Sequence, residues 1–162
     1  MSSKVNALSR ISIFCRDIDK SLQLYRDILG LEVIEDKVVE GKGIGGMVGL
    51  GDCRMHIMYL QSPNLDGALL ALFEISNPQP EGLADPPSLQ RVAAGQPAVV
   101  FDSDQVNEIH SELDRHGYHV LTQPMRYVKP EDSEYTKAGV YTELIFFDPD
   151  NVLVSIVQYE PK

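Results

Sequence analysis

The sequence of 162 residues predicts a single α+β domain made of two modules of similar design. Residues 8–33 combine a strand, a tight turn, an amphipathic helix, a glycine stop and the start of a second strand. A weaker version of the same order occurs at residues 96–121. The length suits one domain with a well-formed core and is short for two independent domains. We therefore predict an internal structural duplication.

The first unit of structure is the best defined by its residues. Ile11–Cys15 is rich in β-branched and aromatic side chains, which favours a strand. Asp17 follows, and its carboxylate can accept a hydrogen bond from the amides that open a helix. Gly30 supplies the positive-φ residue that ends such a helix. Between them, apolar residues at three- and four-residue intervals predict one buried helical stripe: Ile18, Leu22, Tyr25, Ile28 and Leu29.

The rest of the first module is predicted to be mostly strand. Residues 38–50 are rich in glycine, but neither a Lys-Ser or Lys-Thr pair nor a helix follows, as a phosphate loop would require. We expect glycine-rich strand edges or a mobile flap there. Residues 54–61 and 67–75 are apolar runs that end at proline-containing turns and predict two further strands.

A proline-rich stretch separates the two modules. We predict a first module at residues 8–77, a connector at 78–94 and a second module at 95–160. The second module begins with a strand at 97–101. A helix follows, with Val106, Ile109, His110 and Leu113 on one face and Gly117 as its stop.

The end of the chain predicts an irregular segment and two strands. A returning strand at 118–121 leads into a polar, irregular stretch at 123–139. Strands are then predicted at 140–147 and 152–159. The turn Asp148–Asn151 joins them, because proline presets φ and Asp and Asn tolerate a turn backbone.

Composition excludes two classes of partner. The formal net charge of −10 argues against a non-specific nucleic-acid binder and against adhesion to an anionic membrane surface. No apolar run approaches a membrane span, and the N-terminus lacks the apolar core of a signal peptide. Two cysteines, Cys15 and Cys53, are expected to be reduced thiols. We therefore expect a cytoplasmic protein.

Two motifs resemble the vicinal oxygen chelate superfamily, which includes glyoxalases, bleomycin-resistance proteins and extradiol dioxygenases. Residues 17–31 resemble its acidic turn, Ser-x-x-Phe/Tyr-Tyr and Leu-Gly signature, and Asp148–Asn151 resembles its Asp-Pro-Asp-Gly turn, with Asn in place of Gly. The resemblance implies two βαβββ modules that form a half-open, cup-shaped mixed sheet. Members commonly bind a divalent metal inside that cup, with ligands from four strands.

The positions that the resemblance assigns to metal ligands hold a different set of residues here. They fall on Arg10, on or near His56, on Gln96 and on Ser155. A guanidinium stays protonated and only donates hydrogen bonds, so it repels a divalent ion instead of coordinating it. We therefore predict that the ordinary metal site is absent and that no cofactor is bound. The alternative is a shifted site that uses His56 and Gln96 with a carboxylate, either Glu74 or Glu143.

The same positions provide the candidate catalytic residues. Arg10 either holds an anionic oxygen of a ligand or is a surface arginine paired with an acidic neighbour. If Arg10 faces the cup, strand alternation places Ser12 and Phe14 there too. His56 either moves a proton or is a histidine satisfied by a structural partner.

Further residues are candidates for binding a substrate. Alternation places Met58 on the face of His56, and it places Ser155 and Tyr159 with Gln96 in the second module. Tyr127 lies in the predicted irregular stretch, where it is either part of a lid or an exposed aromatic residue on a dimer surface.

These residues support three functional hypotheses for a homodimer that binds a small oxygenated organic molecule. The first is metal-independent isomerase, lyase or cyclase chemistry, with Arg10 and His56 as catalytic residues. The second is a non-catalytic binding protein of the resistance type. The third is a metal-dependent lyase or dioxygenase that uses the shifted metal site.

Overall fold

The computed structural model of the protein describes residue 4 and residues 8–63, 67–82 and 89–161. The chain divides into two compact units, Met1–Leu83 and Ala84–Lys162. Their boundary falls within the predicted connector, part of which lies outside the described residues. That the two units make up one domain stays a prediction.

The first unit is a four-stranded mixed sheet with one main helix. Its strands lie in the order β1-β4-β3-β2, with β1 parallel to β4 and the other neighbours antiparallel. In chain order the elements are β1 (Arg10–Cys15), α1 (Ile18–Leu22) with a π-helical continuation (Gln23–Ile28), β2 (Glu32–Gly41), α2 (Lys42–Met47), β3 (Cys53–Gln61) and β4 (Leu69–Ser76).

The second unit repeats this arrangement. Its strands lie in the order β5-β8-β7-β6, again with one parallel pair, β5 and β8. Its elements are β5 (Ala98–Asp102), α3 (Val106–His116), β6 (Val120–Lys129), β7 (Gly139–Phe147) and β8 (Leu153–Pro161). The predicted α+β class and the two βαβββ modules are therefore confirmed.

In the first unit the main helix packs on one face of the sheet. The backbone N–H of Ile18 donates a hydrogen bond of 2.7 Å to the carboxylate of Glu74 in β4, which fixes the start of α1 on that face. Apolar side chains of the helix and the sheet are buried together there: Ile13, Leu60, Leu70 and Leu72 from the strands, and Ile18, Leu22, Leu24 and Tyr25 from the helix.

The π-helical turn changes which residues reach the core. The predicted stripe contained Tyr25 and not Leu24, yet both side chains are fully buried. The N–H of Leu29 donates to the carbonyl of Leu24, five residues back, at 2.9 Å. This wider turn brings two consecutive side chains onto the buried face.

Two local predictions from the sequence are wrong. A short helix, α2, forms inside the glycine-rich segment, and Ile44, Val48 and Leu50 pack on the sheet there. These apolar contacts offset the poor helix propensity of glycine. In the second unit β6 continues to Lys129, so Tyr127 lies in a strand and not in an irregular segment.

The predicted stops and turns are confirmed. Gly30 and Gly117 follow their helices with φ of 77° and 73°. In the turn at Asp148–Asn151 the buried carboxylate of Asp148 accepts hydrogen bonds of 2.8 Å from the N–H groups of Asp150 and Val152. Both cysteines are free and buried.

Asp17 caps α1, as the sequence predicts, and this cap gives a test of stability. Its Oδ1 accepts a hydrogen bond of 3.2 Å from the N–H of Lys20. We expect Asp17→Ala to lower the free energy of unfolding by about 1 kcal/mol, because the amide loses its acceptor. Asp17→Asn keeps an acceptor oxygen and should lose less than half as much. Urea unfolding measures both, and equal losses would contradict the capping role.

Candidate functional site

The register of the first sheet shows which side chains share a face. Arg10, Ser12 and Phe14 in β1 pair with Leu69, Ala71 and Phe73 in β4. Tyr59 in β3 pairs with Ala71, and Glu35 in β2 pairs with Tyr59. Because paired residues point to the same side of a sheet, these side chains lie together. They are on the side opposite α1, which we call the first open face.

The centre of the first open face is an arginine beside a tyrosine. Arg10 Nη1 donates a hydrogen bond of 3.2 Å to the hydroxyl oxygen of Tyr59. The guanidinium carbon lies 5.5 Å from the centroid of the Tyr59 ring and 5.8 Å from that of Phe73. Both distances are within the range of cation–π attraction. The charge is therefore held over an aromatic surface.

A second cation approaches the same tyrosine ring. Lys37 Nζ lies 5.2 Å from the ring centroid of Tyr59 and 2.7 Å from Oε1 of Glu35. The hydrogen bond to Glu35 raises the pKa of Lys37, and the nearby charge of Arg10 acts in the opposite direction. The charge of Lys37 is thus largely balanced by its own strand neighbour. Arg10, by contrast, pairs with no carboxylate in the described part of the chain.

Aromatic side chains extend the first open face beyond the arginine. The rings of Phe14 and Phe73 meet edge to face at 5.2 Å, and those of Tyr59 and Phe73 at 6.4 Å. Phe73 is buried, whereas Phe14 is 54% exposed. The residues 42–50 cover only one end of this face. An exposed ring next to a cation suits a flat ligand with an acidic group.

The expectation that His56 shares a face with Arg10 is wrong. His56 pairs with Glu74 in β4, and Glu74 pairs with Cys15 in β1, so all three point to the side covered by α1. Met58 lies on that side too and is buried. His56 Nε2 forms a hydrogen bond of 2.7 Å with Asp36 Oδ1. The surroundings of His56 thus match the second of its two predicted roles, a histidine whose ring is hydrogen-bonded to a structural partner.

The register of the strands also explains why His56 is not the residue of β3 that lies beside Arg10. The residue of β3 that joins Arg10 on the first open face is Tyr59, which sequence analysis did not single out. Its neighbour Ile57 is buried and so is Met58, so β3 has apolar side chains on both faces. Alternation of polarity therefore carried no information about which face is open.

The open face of the second sheet is defined in the same way. Ser155 and Tyr159 of β8 share one face, as predicted, and Val157 lies between them on the same face. They pair with Ile145, Glu143 and Tyr141 of β7, and β6 adds Tyr127 and Met125. The opposite face packs under α3, where Leu113, Leu144, Phe146 and Ile156 are buried. We call the uncovered side the second open face.

Three tyrosines form a row across the second open face. The rings of Tyr127 and Tyr141 stack at 5.5 Å, and those of Tyr141 and Tyr159 lie 5.1 Å apart. The hydroxyl of Tyr141 donates to the carbonyl of Lys137, and that of Tyr159 donates to the carbonyl of Ala138. We call Tyr127, Tyr141 and Tyr159 the tyrosine row. These hydrogen bonds to backbone carbonyls hold the rings of Tyr141 and Tyr159 in place.

A carboxylate lies next to the tyrosine row. Ser155 Oγ donates a hydrogen bond of 2.7 Å to Oε1 of Glu143. Partial burial raises the pKa of Tyr127, and the negative charge of Glu143 adds to this effect. The phenol therefore remains neutral at physiological pH. Ser155 occupies one of the positions that the resemblance assigns to metal ligands, and Glu143 supplies a carboxylate beside it from the neighbouring strand.

Gln96 occupies a turn before β5 and not a strand. Its side-chain oxygen accepts a hydrogen bond of 3.1 Å from the N–H of Ala93, while its own N–H donates to the carbonyl of Ala93. The side chain thus closes a local turn. Its predicted part in substrate binding stays untested.

The second unit also contains a cavity of about 420 Å³ at the edge of the second open face. The tyrosine row contributes Tyr141 and Tyr159 to its wall. The other lining residues are Asp102, Ser103, Asp104, Tyr135, Thr136, Lys137 and Val157. The cavity is therefore bordered by aromatic rings and carboxylates.

The donor groups do not fit the divalent metal that the resemblance implies. Arg10 occupies the first open face, and its sheet partner there, Leu69, has no donor atom. Glu74 of the shifted site is already bonded to the N–H of Ile18. In the described ranges no three His, Cys, Asp or Glu side chains are grouped as a metal site requires.

Comparison with known proteins gives the family. The model of the Glyoxalase/Bleomycin resistance protein/Dioxygenase superfamily matches residues 7–156. The chain belongs to this superfamily. No curated protein matches the chain.

Solved structures share the fold at low sequence identity. A glyoxalase-family protein from Bacillus cereus is 19% identical, with a TM-score of 0.74 and 98% of this chain and 99% of that chain covered. The trypanothione-dependent glyoxalase I of Leishmania major is 14% identical, with a TM-score of 0.59 and coverages of 95% and 87%. TnmS3, an antibiotic-binding protein from Streptomyces sp. CB03234, is 15% identical, with a TM-score of 0.54 and coverages of 98% and 100%.

Gly139 keeps the tyrosine row in place and gives a second test. A Cβ at this position would overlap the ring of Tyr159 and approach the carbonyl of Glu160 at 2.6 Å. We expect Gly139→Ala to cost about 1–3 kcal/mol of unfolding free energy and to shift the ring signals of Tyr159. The control is Gly67→Ala, since a Cβ there meets no atom within 4 Å. Similar stability losses in both variants, measured in urea, would show that the row does not require the glycine.

Proposed function

We propose that this protein binds a small oxygenated organic anion on its first open face and that Arg10 holds the anionic group. The observation that carries the proposal is the geometry of Arg10. Its guanidinium is exposed on the sheet, donates to Tyr59 at 3.2 Å and pairs with no carboxylate among the described residues. A guanidinium has five N–H donors, so it can bind a carboxylate or phenolate while retaining the tyrosine contact.

The surrounding side chains support an aromatic or otherwise flat ligand. Phe14 is exposed beside Phe73 and Tyr59, and its ring can take up an apolar body while Arg10 holds the polar end. Ser12 lies between Arg10 and Phe14 on the same face and offers a hydroxyl. An antibiotic-binding protein with the same fold, TnmS3, is a precedent for ligand binding in this architecture.

Binding without catalysis is the function we favour over the isomerase, lyase or cyclase hypothesis. That hypothesis needed a proton-transfer group beside Arg10, and His56 lies on the other face with Asp36 as its partner. A metal-dependent lyase or dioxygenase needs several ligating side chains close together, and the described residues contain no group of three His, Cys, Asp or Glu side chains of that kind. Enzymatic activity therefore has less support than binding.

The remaining parts of the proposal concern assembly and location. We propose a homodimer in the cytoplasm, supported by the resemblance and by two free thiols, which suit a reducing compartment. In the ranges that the structure covers, no helix has the length and apolar character to span a bilayer.

Arg10→Ala tests the proposed anion site. With benzoate as the probe, we expect the variant to bind about ten- to a hundredfold more weakly, because a charge-assisted hydrogen bond is worth about 1.5–3 kcal/mol. Arg10→Lys should recover part of the affinity, since it keeps the charge and loses the planar donor pair. Isothermal titration calorimetry measures both, and benzamide serves as the uncharged analogue.

Arg54→Ala is the matched control. Arg54 is an exposed arginine of the same sheet, and its register partner Ser76 places it on the face opposite Arg10. Removing it changes the net charge equally and should leave benzoate affinity within about twofold. Equal losses in the Arg10 and Arg54 variants would mean that only net charge matters, and the proposal would fail.

His56→Ala separates binding from proton-transfer catalysis. Because His56 lies on the helix-covered face, we expect benzoate affinity to stay within about twofold. The isomerase, lyase or cyclase hypothesis instead predicts a large loss of turnover on its substrate. A loss of affinity comparable to that of Arg10→Ala would contradict the assignment of His56 to the other face.

A further inference from the structure

Glu143 is a half-buried carboxylate at the centre of the second open face. Along β7 its neighbours on that face are Tyr141 and Ile145, and across the sheet they are Met125 and Val157. Its hydrogen bond comes from the hydroxyl of Ser155, a residue that is only 4% exposed. A carboxylate has about four acceptor sites, and this neutral donor fills one of them. The others face an apolar and aromatic surface.

Among the residues that the structure describes, no positively charged side chain forms an ion pair with the carboxylate of Glu143. The ion pairs that arginine and lysine side chains form among the described residues of the second unit join other groups: Arg126 with Glu160, Lys137 with Asp132, and Arg115 with Glu112. A charge that is partly removed from water is costly unless an opposite charge accompanies it. The setting of Glu143 therefore favours a ligand with a positive charge.

The tyrosine row supplies the second element of such a site. Tyr127 and Tyr159 are 41% and 39% exposed, and Tyr141 lies between them. The hydroxyls of Tyr141 and Tyr159 are bonded to backbone carbonyls at 2.8 Å and 3.2 Å, so the rings are held in fixed positions. Fixed tyrosine rings attract cations, above all quaternary ammonium groups.

The adjacent cavity provides room for the cation and its organic body. Val157 and Asp102 form a register pair, and Val157 also pairs with Glu143. The two carboxylates thus lie on opposite sides of Val157, which lines the cavity together with Tyr141 and Tyr159. The one lysine in the lining, Lys137, is 3.2 Å from its partner Asp132.

We propose that the second open face binds a small organic cation, an alkylated or primary ammonium group, with Glu143 as its counter-ion and the tyrosine row as its aromatic contact surface. Asp102 adds a second negative charge on the far side of Val157. This site shares no residue with the proposed anion site on the first open face. Its failure and the failure of the anion site are therefore separate results.

A pair of probes of equal shape tests the charge requirement. Choline carries a trimethylammonium group, and its neutral analogue 3,3-dimethylbutan-1-ol (dimethylbutanol below) carries an uncharged tert-butyl group in its place. We expect choline to bind at least about tenfold more tightly, because the ion pair and cation–π contacts together are worth more than about 1.4 kcal/mol. The ring signals of the seven tyrosines, observed by NMR, report binding without a label.

Glu143→Gln tests the counter-ion directly. The amide keeps the shape and can still accept from Ser155, so the loss is that of the charge alone. We expect choline affinity to fall about tenfold, while Glu108→Gln, an exposed glutamate of α3, leaves it within about twofold. The two variants lose the same net charge and differ only in its place.

Two substitutions of Tyr127 separate the contribution of its aromatic ring to choline binding from that of its hydroxyl. Tyr127→Phe keeps the ring and should bind choline within about twofold of the natural chain, whereas Tyr127→Leu should bind about three- to tenfold more weakly. Unfolding in urea confirms that each variant is folded.

Three results would overturn the proposal. These are no choline binding by the natural chain, equal binding of dimethylbutanol, and equal affinities of the Glu143→Gln and Glu108→Gln variants. Equal binding of the uncharged probe would reduce the site to an apolar surface.

Discussion

The main helix of each unit, α1 in the first and α3 in the second, covers one face of its sheet, and this packing decides which side chains can meet a ligand. The hydrogen bond from the N–H of Ile18 to Glu74 anchors α1 on one side of the first sheet, where Leu70 and Leu72 of β4 are buried. Every strand residue that points to the same side as Glu74, His56 included, therefore lies on the covered face. Arg10 points to the opposite side of the sheet and remains exposed beside Tyr59.

The two open faces differ in charge, and the net charge of the chain does not predict this. A formal charge of −10 suggests a uniformly acidic surface, yet the first open face carries Arg10 and Lys37 over aromatic rings. The second open face carries Glu143 beside the tyrosine row. Local register, which brings a few charged residues together on an aromatic surface, thus sets the chemistry that each face offers.

The amino-acid sequence predicts the helices and strands well and the candidate site only in part. The strand–helix–strand order, the stops at Gly30 and Gly117 and the turn at Asp148 follow from local propensities, and so could be read from the chain. The face of His56 could not, because β3 is apolar on both sides and its register with β4 is a long-range property. The contact of Ser155 with Glu143 likewise joins two strands. Helix α2 depends on tertiary packing that outweighs its glycines.

The central claim is that the ligand meets the first open face at Arg10, and mapping a bound anion tests it most directly. The measurement is a titration with benzoate followed by the side-chain NMR signals of the first unit. The account predicts that the guanidinium of Arg10 and the rings of Phe14 and Tyr59 shift together, while His56 and Met58 on the covered face do not. Shifts centred on His56, with Arg10 unchanged, would contradict it.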